Sequence, residues 1–570
     1  MNDKVAKAHE LFKKGKFKQC IAIVEKINKN KNKQTFTTLE MHAASLATLN
    51  LNARARELFI RAALVAPSDV TRAKIYYDIF ALCMLLKDYN EAAEFIQLAI
   101  ALVPNSKSVQ WRMALANLYF QLRRYDECEE LSAKLLVYKP CTVKCMHMLM
   151  DMAVQRSNID KVDFYLRQFE GRMQELTGKD ILGVYARAEA YTTLDFSKSI
   201  DKAIARGANI YTVKVIQASS LFKAGKIDEC FELLNSFKSA QLNEDPPKKR
   251  YNELMGKIYD KRKEYDNAFS YFKALNAIAS KQYAERGGAS NELSKYGEFR
   301  TINFSKKSYK APIRNYFLVG FPRSGTTLLE NVIDTQDRVL ALPERPMLDD
   351  IKMKLILEGH KYPECLQTIS DDYLDELRDY YFKSAIKNSS YESLEEFDVL
   401  VDKNPVNSIR MPFIKKLFPD AKIILALRHP LDCILSCYMQ NFGVSPHLAD
   451  FSDWRQCFQR YKDTFDIYEG FKTYMQWDEH QVKYENLVTN FEDEIEGVLK
   501  FLDIKADKES YMNFNKRAQS QVITTPSGPQ VRQGIYNTSS QRWEKYREYI
   551  KPHIELVRPH IERLGYSADI

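Results

Sequence analysis

Several short segments in the second half of the chain are spaced for chemistry on an anion. Tyr316–Glu330 reads YFLVGFPRSGTTLLE. An apolar run, Tyr316–Val319, passes into a turn held by Gly320, Pro322 and Gly325, then into a helix starting near Thr327. Such a turn aims the backbone N–H groups of Ser324, Gly325, Thr326, Thr327 and Leu328 at one point. The helix dipole adds positive charge there, and a phosphate suits that point. The spacing is almost that of a Walker A loop, but Thr326 stands where an ATP or GTP hydrolase needs Lys. The cation has moved upstream, to Arg323. The pattern favours a phosphorylated ligand other than an ATP–magnesium pair.

A second segment, Lys422–Phe442, reads KIILALRHPLDCILSCYMQNF. Ile423–Leu427 is a short buried-type strand, Arg428 ends it, and Pro430 opens a helix at a position Pro tolerates. Ser436 falls two turns into that helix. Three further stretches carry polar groups at strand ends or in loops. Val399–Pro405, VLVDKNP, offers Lys403. Gln481–Val488, QVKYENLV, offers Tyr484. Gln521–Trp543, QVITTPSGPQVRQGIYNTSSQRW, offers Ser527, Arg532 and Gln533.

These residues carry a resemblance. PRSGTTLL resembles the 5′-phosphosulfate loop of sulfotransferases, which move a sulfuryl group from 3′-phosphoadenosine 5′-phosphosulfate (PAPS). The Arg428 and Ser436 segment resembles that family's 3′-phosphate site. YENL resembles the strand-end element whose Tyr lies near the nucleotide, and the late loop resembles the one that closes over it. VDKNP resembles the strand ending in the Lys that tyrosylprotein sulfotransferases place at the transferring group. The resemblance implies that Arg323 and the loop N–H groups hold the 5′-phosphosulfate. It implies that Lys403 and Ser527 meet the bridging and sulfuryl oxygens. Arg428 and Ser436 would fix the 3′-phosphate, with Tyr484, Arg532 and Gln533 nearby. No metal is required, because the leaving group is already anionic and cations with N–H donors suffice.

The base is implied by position. Cytosolic small-molecule sulfotransferases use a His soon after the Lys-bearing strand, and Asp402-Lys403-Asn404-Pro405 brings none. Glu344, in Leu342-Pro343-Glu344-Arg345, lies 21 residues after Arg323, where tyrosylprotein sulfotransferases carry their catalytic Glu. Such a base needs geometry more than a shifted resting pKa. The likeness then departs: only Arg345 follows as a cation, with Asp349 and Asp350 close behind, which argues against an acidic tyrosine peptide as acceptor.

The elements that must position these groups follow from the rest of the chain. At 570 residues it exceeds one core. A 45% hydrophobic and 28% charged composition is that of a soluble globular protein. The net charge of +9 is mild, and no basic, aromatic-interleaved stripe marks a nucleic-acid surface. The ten Cys show no metal-ligand spacing and read as reduced thiols. The first residues lack a signal-type apolar run and no run reaches spanning length, so a cytoplasmic protein without a membrane span is expected.

The first half repeats. Pro67, Pro104 and Pro140 recur at steps of 37 and 36, after helix–turn–helix patterns with Gly15, Gly225 or Lys87-Asp88 in the turn. Small residues flank the turns: Ala81, Ala114 and Ala116 before, Ala92, Ala93 and Ala268 after. This resembles tetratricopeptide repeats, roughly seven or eight of them. The expected organisation is a repeat α-solenoid over residues 1–285, a linker over 286–312 around Gly287-Gly288, and an α/β, parallel-sheet, P-loop-like sulfotransferase domain over 313–570. Such a layout resembles bacterial tetratricopeptide-repeat-containing sulfotransferases. It implies a hydroxyl acceptor (protein tyrosine, saccharide or other), with the repeats engaging acceptor or partner protein. The alternative is a repeat scaffold whose sulfotransferase-like domain binds nucleotide without turnover. A P-loop kinase or hydrolase is disfavoured by Thr326. On this reading every donor group lies beyond the Gly287-Gly288 break, and a chain beginning near residue 300 is expected to bind nucleotide.

Overall fold

A computed structural model describes residues 2–30, 34–155, 158–172, 174, 176–188, 197–285, 288, 292–297, 309–389, 391–443, 445–520, 531 and 540–569. The chain folds into two compact units, one of residues 1–152 with 353–360, the other of 153–352 with 361–570. No described helix is long and apolar enough to cross a membrane.

Among the described residues, eight consecutive helix pairs run from Asn2–Lys13 with Phe17–Asn28 to Asp245–Lys261 with Tyr265–Glu285. The third pair, α1 (Asp69–Leu86) and α2 (Tyr89–Ala101), shows the local logic. Ser68 caps α1 by accepting the Thr71 N–H at 3.2 Å. Lys87, in the left-handed region at φ 64°, ends it and turns the chain into α2. Ala92, Ala93, Ile96 and Ala99 bury one face of α2 against Ile75, Ile79 and Cys83 of α1. Ala116 and Ala268 are likewise fully buried, whereas Ala81 faces solvent and is no crossing residue. Pro140 sits in the first turn of the next helix, Lys139–Gln155, where a missing N–H costs nothing.

The last pair, α3 (Asp245–Lys261) and α4 (Tyr265–Glu285), lies in the second unit with the sheet. Asn276 donates to the Tyr438 carbonyl at 2.7 Å, Tyr283 to that of Gly443 at 3.1 Å, and Lys249 to that of Phe442 at 3.3 Å. Phe269 stacks on Tyr549 with centroids 3.8 Å apart and packs on Tyr438 and Trp454. Beyond it, the short helix α5 (Glu292–Gly297), inside the expected linker, is anchored as well. Glu292 is buried and takes a bidentate pair from Arg410, at 3.0 and 3.2 Å, and Lys352 at 2.8 Å.

Five parallel strands form the described sheet: β1 (Arg314–Gly320), β2 (Val339–Pro343), β3 (Val399–Lys403), β4 (Lys422–Leu427) and β5 (Glu479–Lys483), in the order β2-β3-β1-β4-β5. β1, β3 and β4 are buried almost throughout and are largely apolar, as in a sheet covered on both faces, whereas the edge strand β5, EHQVK, is not. β3 and β4, joined by the helical stretch 405–417, are not hydrogen-bonded neighbours; β1 lies between them. In this register Lys403 pairs with Leu318 on one side and Pro343 on the other. The carboxyl ends of β2, β3, β1 and β4 therefore finish side by side, which is where ligands sit in such sheets.

Candidate active site

The loop after β1 has the form its glycines require. Gly325 has φ 97°, and a Cβ there would stand 2.8 Å from the Tyr484 ring. A Cβ on Gly320 would stand 2.5 Å from the Ala426 carbonyl oxygen. Backbone therefore passes close under Tyr484 and against β4 with no room for a side chain. The helix that follows, α6, begins at Thr326 and runs to Ile333, with Gly325 at its N-cap and no side chain capping it. Of the N–H groups expected to face an anion, that of Leu328 donates instead to the Gly325 carbonyl at 3.0 Å and that of Ser324 to the Phe321 carbonyl at 3.1 Å, because the turn closes on itself there. Thr326, Thr327 and Leu328 are buried, and the Ser324 hydroxyl is buried with no hydrogen-bond partner among the described residues. A buried, unpartnered hydroxyl in an anion loop is a donor awaiting an acceptor.

Arg323 and Glu344 both hold left-handed backbone, φ 73° and 51°. For residues with a Cβ this costs about 1–2 kcal/mol each. The surroundings hold them there. The Arg323 carbonyl accepts Arg428 Nη1 at 3.1 Å, and its Nε donates to Ser436 Oγ at 3.0 Å. The Glu344 N–H donates to the Lys403 carbonyl at 2.6 Å. These two positions are the sequence-chosen phosphate cation and base.

One cluster thus joins the phosphate loop to the expected 3′-phosphate pair. Arg428 is buried, lies over the Tyr484 ring at 4.9 Å, and faces Asp432 at 3.7 Å. Arg428 ends β4, while Ser436 and Asp432 stand on the next helix, α7 (Pro430–Tyr438). His429 is not turned to this space: its ring stacks on Trp543 at 4.9 Å and reaches the Ser567 carbonyl at 3.2 Å.

The second cluster surrounds Lys403. Its side chain is fully buried, and Nζ lies 3.0 Å from Glu344 Oε1 and 3.7 Å from Glu330 Oε2. Glu330 is one turn into α6, 6% exposed. Burial pushes its carboxyl up to about 7; Lys403 opposes the rise, and Asp334 and Glu344 add to it. Arg345 is buried beside them, and burial lowers its guanidinium to about 10, with Glu330 and Glu344 opposing. Neither Glu330 nor Arg345 was singled out from sequence as a site residue. Glu330 ends the very motif that was read, but it occupies an ordinary helix position, and only the fold turns it onto Lys403. Asp402 alternates to the other face of β3 and accepts the Tyr381 hydroxyl at 2.9 Å.

Arg323, Ser324, Gly325, Thr326, Thr327, Leu328, Glu344, Lys403, Arg428, Ser436 and Tyr484 accordingly belong to the strand ends of one sheet and the elements that follow them. Ser527, Arg532 and Gln533 lie outside the described residues.

Residues 316–508 match the model of the sulfotransferase family. This part of the chain is a sulfotransferase family domain. The chain is 26% identical over 324 residues to an uncharacterized protein of Aquifex aeolicus, covering 55% of this chain and 41% of that one. It is 26% identical over 205 residues to a protein-tyrosine sulfotransferase of Drosophila melanogaster, covering 35% and 39%. The matched part thus spans about two fifths of each of these relatives. A solved sulfotransferase domain from the curacin biosynthetic pathway is 16% identical and covers 46% of this chain and all of that one, with a TM-score of 0.29. The matched residues 316–508 include both charged clusters.

Proposed function

We propose that the sulfotransferase domain uses PAPS as donor and transfers its sulfuryl group to a hydroxyl. The observation that carries this is the placement of cations around a lysine-free phosphate loop. Arg323 and Arg428 meet at one side, and Lys403 stands at the other, on a neighbouring strand end. A magnesium–nucleotide site of the Walker A kind would put the Lys inside the loop. The residues present fit the donor: an uncapped helix end and Arg323 for the 5′-phosphosulfate, Arg428 with Ser436 for the 3′-phosphate, and the Tyr484 ring beside them.

Lys403 would stabilise the oxygens that gain charge as the bond to the leaving adenosine bisphosphate breaks. Glu344 would take the acceptor proton. In the structure these two are paired with each other, so a donor drawing Lys403 toward itself releases the Glu344 carboxylate for the acceptor. Glu330, 3.7 Å from Lys403 on its other side, would stay beside the ammonium when Glu344 is released. We assign the solenoid of residues 1–285 to engagement of acceptor or partner protein, with the catalytic domain over 313–570.

Thermal stabilisation by adenosine 3′,5′-bisphosphate (PAP) beside ATP tests the donor. PAP at a hundred times its Kd adds about 2.7 kcal/mol. ATP is expected to bind at least about tenfold more weakly, because Arg428 and Ser436 meet a phosphate that ATP lacks. Equal affinity for the two sinks the PAPS assignment, and EDTA is expected to leave transfer intact.

A further inference from the structure

Two acids of unequal freedom meet Lys403. Its side chain ends β3 wholly out of water, with Nζ 3.0 Å from Glu344 Oε1 and 3.7 Å from Glu330 Oε2. Glu344 stands on the turn after β2 with its side chain 41% exposed, so it has solvent and an incoming acceptor to turn to. Glu330 is buried on α6, the helix that opens at the phosphate loop, and has no such outlet. Around Glu330 the other charged groups are Asp334, which closes α6, Glu344 itself, and Arg345 beside it.

The geometry bears on the order of events. A lysine ammonium is a point charge on a flexible four-carbon stem, so the groups it meets fix its position. Of the two carboxylates, Glu344 is the one given to the acceptor, and once it has taken the acceptor proton it is neutral and no longer attracts the ammonium. Glu330 is the one that stays. It rides on the helix of the phosphate loop and so ties Lys403 of β3 to the loop after β1. That tie sets how far the ammonium stands from the oxygens of a donor held by the loop. A misplacement of about 1 Å near the chemistry can cost on the order of a hundredfold in rate.

We propose that Glu330 is a positioning residue for sulfuryl transfer: its buried carboxylate holds the Lys403 ammonium at the phosphate loop while Glu344 serves the acceptor. This rests on the reading of Lys403 as the cation at the transferring group and of Glu344 as the base. Only the ionised carboxyl can hold the ammonium. Burial raises that carboxyl to about 7, so kcat/KM for PAPS, which reports the free protein, is expected to rise with pH through about 7.

The test follows labelled PAPS on the full chain, with phenol as acceptor and with water alone, beside calorimetric Kd values for PAP. At pH 8, Glu330→Gln is expected to lower kcat about tenfold in both assays. PAP binding is expected to stay within about threefold of wild type or to tighten, since a carboxylate has left an anion site. The rise of kcat/KM with pH is expected to vanish in the variant. A general structural lesion would instead weaken PAP binding together with the rate and leave the shape of the pH profile as it was. Unchanged kcat in the folded variant, or a loss of PAP binding in step with the rate, overturns the proposal. If the variant does not fold, the wild-type profile decides: a kcat/KM that does not rise between pH 6 and 8 overturns it. A wild type that binds PAP no better than ATP overturns the donor reading itself. One that binds PAP and releases sulfuryl groups in neither assay overturns the reading of turnover, and this proposal with it.

Discussion

The third and last helix pairs are built on one motif and bury different chemistry. In α1 and α2 every buried side chain is aliphatic, aromatic or Cys. In α3, Lys249, Asn252 and Glu253 are buried as well, and α4 buries Asn276. Buried polar groups persist only where they are paired. Glu253 is held by Arg250 at 2.9 Å and Lys257 at 2.5 Å, while Lys249 and Asn276 bond carbonyls of the sulfotransferase domain. A solenoid repeat needs only neighbours like itself. The last pair has become a wall of the second unit, and the periodic pattern that marks it as a repeat hides that role.

Truncation breaks or sharpens this contrast most strongly. A chain beginning near residue 300 removes α3 to α5, takes Glu292 from buried Arg410 and leaves it Asp349 alone, and takes Asp260 from partly exposed Arg542; it is expected to lose PAP binding by at least about tenfold. A chain beginning at residue 153 keeps the second unit and is expected to retain binding. If the shorter chain melts cooperatively and binds PAP as well as the longer one, the last pair is an ordinary repeat.

Within the second unit, the proposed roles divide binding from turnover between the two charged clusters. Lys403→Ala is expected to lower the rate of transfer from labelled PAPS about 10²–10³-fold, with PAP affinity much less affected, because Lys403 faces oxygens whose charge grows in the transition state. Arg428→Ala is expected to cost about 2–3 kcal/mol of PAP affinity, read by calorimetry, with a smaller change in the rate at saturation. If both substitutions raised KM alone, the division fails.

The last effect concerns Glu330, is read by pH, and bears on stability. Its carboxyl is raised from an ordinary 4.5 to about 7 by burial. A group whose folded pKa is raised contributes stability below the unfolded value, and that contribution is lost as pH rises through the folded value. The wild type therefore loses on the order of 3 kcal/mol between pH 4.5 and 7 that Glu330→Gln does not. Melting temperatures of the two are expected to diverge by a few degrees in favour of the variant from pH 5 to 8. Parallel curves would mean that Glu330 titrates normally.

Much of this site was legible in the chain because its groups stand at fixed offsets from strand ends. Arg323, Arg428 and Tyr484 follow their strands directly, and a parallel sheet delivers such positions to one edge. Glu344 was placed by its distance from Arg323, and the register that sets Pro343 against Lys403 explains why it meets Lys403. Glu330 and Asp260 were not legible. Each stands in a helix whose pattern is satisfied without it, and its partner comes from a distant segment.

The sequence by itself determined the repeat period and the strand-to-helix turns, because these rest on local backbone preference and on the types of neighbouring residues. Only the tertiary structure decided which charges face one another. It placed β1 between β3 and β4, set Lys403 between two carboxylates, and brought Asp260 onto Arg542 and Tyr546. Burial and long-range pairing have no sequence period, so they exist only once the chain has closed on itself.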